Sequence, residues 1–178
     1  MDIGVISVRY ARALLKTSME FNNSEDVYKE MQRLAQSYIE VPDLRHTIDN
    51  PMLAKETKRQ LLSTASGGAC ELTLRFFDIV LREDREDMIQ FMANSYITLY
   101  RKQNNIIRGK LTTAVPVSVD VKSKMQRMVE NMTNGTVEFE TEVDADIMGG
   151  FVLEYDTYRM DASVKAQLAR IKRQLAAN

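Results

Sequence analysis

Apolar residues recur at helical spacing from residue 5 to about Gln103, and at strand spacing in several later stretches. Residues 5–20 predict a helix with two stripes: Val8, Ala11, Leu15 and Met19 form one, Tyr10, Leu14 and Phe21 the other. Two stripes on one helix imply two neighbours, or a core on one side and a partner on the other. After Phe21-Asn-Asn, Ser24 is expected to cap a second helix with Val27, Met31, Leu34 and Tyr38 on its inner face. Pro42 and Pro51 bracket a short third helix, Asp43 to Asp49, with Leu44 and Ile48 as its apolar pair. A fourth, Lys55–Ala65, buries the Lys58 stem, Leu61, Leu62 and Ala65, and ends at Ser66-Gly67-Gly68. The fifth, about Ala69–Arg82, is apolar nearly all round, as a central or groove-lining helix is. The sixth, Arg85 to about Gln103, uses Met88, Met92, Ser95, Tyr96 and Leu99. Short links between short helices predict an all-α bundle of six over residues 1–105.

The period changes after Asn104-Asn105. Ile107, Gly109, Leu111, Thr113 and Val115 alternate with polar or small residues, as in a half-buried strand. Ser118 starts a helix with Val121, Met125, Met128 and Met132 on one face, and Asn134-Gly135 reads as a turn. Val137, Phe139, Thr141 and Val143 alternate with Glu138, Glu140 and Glu142 in the cleanest strand of the chain. Next come Asp144-Ala-Asp-Ile-Met-Gly-Gly-Phe151, an alternating run to Tyr155, a turn, and Met160-Asp-Ala-Ser-Val164. The last helix carries the stripe Val164, Leu168, Ile171 and Leu175. The order β-α-β-β-β-α predicts a small α+β domain over residues 106–178, with helices on one sheet face, so the whole chain is of the α+β class.

The C-terminal run closely resembles the signature of the delta subunit of bacterial rotary ATP synthases, the oligomycin-sensitivity subunit of mitochondria. The matching residues are Asp146, Gly149, Gly150 and Phe151, then Asp161, Ser163 and Val164. Ala162 stands where that family usually has glycine, Glu154 where it often has arginine, and the hairpin lacks the usual glycine before Asp156. Val8-Arg-Tyr-Ala-Arg-Ala-Leu-Leu15 resembles the family's opening helix, and the order of features from Phe76-Phe77 to Ile107-Arg-Gly109 also agrees.

Composition narrows the chemistry. The chain has 178 residues and net charge −1, so a general pull towards nucleic acid is not expected. No run reaches the roughly 18 apolar residues of a membrane span, and the N-terminus shows no secretory signal, so membrane association is expected to be indirect. Cys70, the one cysteine, has no intramolecular partner and fits a reducing compartment. His46, the one histidine, cannot complete a zinc set. The glycine pairs lack the spacing of a phosphate loop. No catalytic residue, cofactor site or metal site is expected.

The resemblance implies a non-catalytic peripheral-stalk subunit of a proton-translocating ATP synthase, tying the head to the stalk against torque. It implies that residues 1–105 bind the catalytic head: the alpha subunits, with beta as a further candidate. A groove between the first and fifth helices would hold an alpha N-terminal segment. The expected lining is Tyr10, Ala11, Leu14, Leu74, Phe77 and Leu81, so Phe77→Asp is expected to weaken that binding. Residues 106–178 would bind the b subunits of the stalk through Val164, Leu168, Ile171 and Leu175. One copy per complex, at the cytoplasmic face of the bacterial inner membrane, is implied as well. The alternative is an RNA-binding α+β module, because Gly149-Gly-Phe-Val152 resembles the RNP1 strand of an RNA-recognition fold. The aromatic between the glycines is missing, and Tyr155 comes one residue late for a stacking platform.

Overall fold

The structure, a computed structural model, describes residues 3–133, 135–155 and 157–176. The Met132 side chain, Asn134 and Asp156, each read above, lie outside the described residues. The chain divides into two compact units, Met1–Gln103 and Asn104–Asn178.

The first unit holds α1 (Ile3–Glu20), α2 (Ser24–Glu40), α3 (Pro42–Asp49), α4 (Lys55–Ala65), α5 (Glu71–Arg82) and α6 (Ile89–Gln103). Pro42 sits in the first turn of α3, where its missing N–H costs nothing. Ser24 is the first helical residue of α2 and makes no cap; the N-cap is Asn23. The sixth helix starts later than periodicity suggests, because Glu86–Met88 form a separate 3₁₀ turn. Its buried residues are Ile89, Met92, Ala93, Tyr96, Ile97 and Tyr100, while Ser95 and Leu99 are only half-buried.

Tyr96 ties three helices together. Its ring is fully buried on α6, and its hydroxyl shares a 2.9 Å hydrogen bond with Ser18 Oγ of α1 and donates to the Ser24 carbonyl at 3.2 Å. Tyr28 stacks on Tyr100 with centroids 4.3 Å apart, joining α2 to α6. Lys58 goes further than stem burial. Its ammonium donates to Glu86 Oε1 at 2.6 Å with the side chain almost wholly buried, so α4 is locked to the 3₁₀ turn by an ion pair shielded from water.

The second unit holds β1 (Ile106–Thr113), α7 (Val119–Thr133), β2 (Thr136–Val143), β3 (Phe151–Tyr155), β4 (Tyr158–Asp161) and α8 (Val164–Ala176). The sheet order is β2-β1-β3-β4. β1 and β2 are parallel, which requires a crossover, and α7 supplies it. The other two pairings are antiparallel. The core is Leu111, Val129, Val137, Phe139, Leu153 and Tyr155. On α7 the buried anchor is Val129, with Met125 packed partly behind it; Val121 and Met128 of the expected stripe are exposed.

Gly109 faces Phe139 across the parallel pair. A Cβ there would lie 2.4 Å from the Phe139 ring, so glycine is what lets the ring lie across β1. The opposite sheet face is charged. Arg108 pairs with Glu140, Lys110 with Glu142 at 2.7 Å and Arg159 with Glu154 at 3.1 Å. These pairs are exposed, so screening by water and salt leaves them little weight in stability. Helices are not gathered on the sheet as expected: α8 contacts mainly the 3₁₀ turn Ala145–Ile147 and is exposed along most of its length.

Candidate functional site

α1 packs mainly against α6, and α5 mainly against α4. The two therefore stand side by side without closing on each other, and an apolar groove of about 620 Å³ runs between them. α1 and the residue after it supply Tyr10, Ala13, Leu14, Thr17 and Phe21; α5 supplies Leu72, Phe76 and Ile79. Leu14 and Phe76 form the floor at 5% and 7% exposure, while Phe21 and Ile79 stand open at 63% and 45%. Arg9, Arg75, Glu83 and Arg85 form the polar margin. Arg85 Nη1 donates to the Tyr10 hydroxyl at 3.1 Å, and its guanidinium lies 5.5 Å from the centre of that ring.

In the second unit the Gly-Gly and Asp-Ala-Ser runs lock together. Gly150 has φ +73°, and a Cβ there would lie 2.3 Å from the Ala162 carbonyl oxygen, so only glycine fits. Ala162 N–H donates to the Phe151 carbonyl and Val164 N–H to the Gly149 carbonyl, each at 3.0 Å. Ser163 Oγ accepts from Ala166 N–H at 3.1 Å, the bond of a helix N-cap, and itself donates to Asp161 Oδ1 at 2.6 Å. The Ser163 hydroxyl and, second, its backbone N–H, which donates to Asp161 Oδ1 at 3.0 Å, hold the Asp161 carboxyl below the usual carboxylate range. Asp146 does not join this knot: its backbone N–H is held by Asp144 Oδ1 at 2.9 Å. From the knot α8 projects with Val164, Leu168, Ile171 and Leu175 all exposed, the last at 74%.

A model of the ATP synthase delta (OSCP) subunit family matches residues 6–175. The chain belongs to that family. It is 48% identical to the ATP synthase subunit delta of Phocaeicola vulgatus, over 99% of this chain and 97% of that one. It is 42% identical to the subunit delta of Parabacteroides distasonis, over 100% and 99% of the two chains. A chain in the mitochondrial ATP synthase hexamer of Toxoplasma gondii, 20% identical, has the same fold with a TM-score of 0.63 over 97% of this chain and 98% of that one. As a delta-family member the chain is a peripheral-stalk, stator subunit of ATP synthase. Among the described residues, no helix is long and apolar enough to cross a membrane.

Of the six residues expected to line an α1–α5 groove, Tyr10 and Leu14 do. Ala11, Phe77 and Leu81 do not: they are 0%, 0% and 3% exposed and belong to the core. Leu74 is half-buried and does not line it either. The reason is rotation about α5. Leu72, Phe76 and Ile79 fall on one face of the helix, and Thr73, Phe77, Val80 and Leu81 on the neighbouring one, about 100° round. Phe77→Asp would place a carboxylate in the core and unfold the unit, so it cannot report on the groove. Of the groove residues missed near α1, Phe21, just past its end, carried a signal, since it shares the stripe of Tyr10 and Leu14. The sheet face opposite the core carries charged residues and the buried Thr112 and Val152, with no ring on β1, β2 or β3 for a base to stack on.

Proposed function

We propose that this chain ties the catalytic head of ATP synthase to its peripheral stalk, each unit gripping a different partner and neither doing chemistry. The first unit takes the amphipathic N-terminal segment of an alpha subunit in the α1–α5 groove, a helix-in-groove mode read by apolar anchors. The second takes the C-terminal ends of the b subunits along the stripe of α8. Torque from the rotating shaft then meets two apolar grips joined by one covalent chain, on the cytoplasmic face of the membrane. The observation that carries this reading is the open apolar groove, a concave site with buried Leu14 and Phe76 on its floor and exposed Phe21 and Ile79 on its walls.

Ile79→Asp tests it. Ile79 is exposed on the groove wall, so the fold tolerates the change. Binding of a peptide of the alpha N-terminus is expected to weaken at least tenfold, about 1.4 kcal/mol. Isothermal calorimetry with the full chain reads this, and equal affinity for variant and parent would sink the groove assignment.

A further inference from the structure

The margin of the groove is unbalanced in charge. Arg9, Arg75 and Arg85 border it against the single acid Glu83. Glu83 already faces Arg82, 3.4 Å away. Arg75 is paired along its own helix with Glu71 and stays two-thirds exposed. Among the described residues, neither Arg9 nor Arg85 has a carboxylate within ion-pair distance. Arg85 is moreover held at the groove's edge by the hydroxyl and ring of Tyr10. The same sign continues on α1, where Arg12 and Lys16 lie on the exposed side and the helix has no acid before Glu20. This cationic strip stands out on a chain whose net charge is −1.

Resting on the groove reading above, we propose that the site selects its guest by charge: an amphipathic helix whose apolar stripe is bordered by carboxylates. Apolar burial supplies most of the affinity, while the arginines select among amphipathic helices and set register and on-rate. Arginine suits this task, because its planar fork meets a carboxylate with two parallel hydrogen bonds.

Three peptides of about four helical turns, roughly 15 residues, test the proposal. They share one leucine-isoleucine stripe and carry glutamate, glutamine or lysine on both flanks. Calorimetry with the full chain is expected to show the glutamate peptide binding at least fivefold tighter than the glutamine peptide. The lysine peptide is expected to be weakest. The spread should collapse near 1 M salt, where the screening length is about 3 Å. In the doubly substituted chain Arg9→Glu, Arg75→Glu, with its helix content unchanged by circular dichroism, the order should invert. Equal binding of all three peptides at low salt overturns charge selection and leaves the apolar groove standing. Binding of none of them overturns the groove reading itself.

Discussion

Asp161 shows how one carboxylate can hold a helix it does not belong to. It accepts two hydrogen bonds from Ser163, and Ser163 caps α8. Because its pKa is depressed in the folded chain, its contribution is present above the ordinary carboxylate value and is lost as pH falls through the lower folded one. Stability of the second unit should therefore decline in acid below about pH 4, partly through this group. Asp161→Asn keeps an acceptor but removes the charge, and it should flatten that acid limb in denaturant titrations between pH 3 and 6. An unchanged slope would mean that the carboxylate is a bystander. Tyr96 gives the opposite sign. Burial, partly offset by its hydrogen bond to Ser18, pushes its pKa up to about 12, so its contribution holds below about pH 10 and is lost above.

Among elements, the tightest constraint is the return of the chain past β3. Gly150 touches the backbone on the way into α8, and no side chain can share that space. Gly150→Ala should cost the second unit at least about 2 kcal/mol, from a strained φ and a backbone clash together. Chemical denaturation followed by circular dichroism measures this, and a loss under roughly 0.5 kcal/mol would show that the loop has another arrangement. Here the sequence was informative: a glycine pair before an alternating run, with Asp161 and Ser163 ahead of a stripe, announces a strand entry and a helix start. Pairing order was not legible, because alternation in β1 and β2 says which residues face the core but not that the strands run parallel. Nor did periodicity choose between the two faces of α5. Both are apolar, and what separates them is that Arg75, Ile79 and Glu83 mark one as wet. Phe77 looked like a guest contact for the same reason that it is core: a phenyl ring satisfies either role until its neighbours are placed.

On the scale of the whole molecule, both candidate sites leave apolar surface uncovered, the first in a groove with firm walls and the second on a helix with few supports. α8 is 13 residues long and contacts little besides the turn at Ala145–Ile147. Helices of that length are marginal in water unless something packs on them. Lys165, Arg170, Lys172 and Arg173 are all exposed along it. Limited trypsin digestion of the isolated chain should therefore trim this end first and spare the first unit. Adding peptides that span the C-terminal ends of the b subunits should slow that trimming severalfold. Cutting first within α1 or α5, or trimming at the same rate with the peptides present, would count against α8 as the stalk contact. An unsupported last helix is also an accessible starting point for degradation. On the proposed reading, a stalk that covers α8 would hide that loose handle from degrading enzymes, so the lifetime of the subunit would follow its docking.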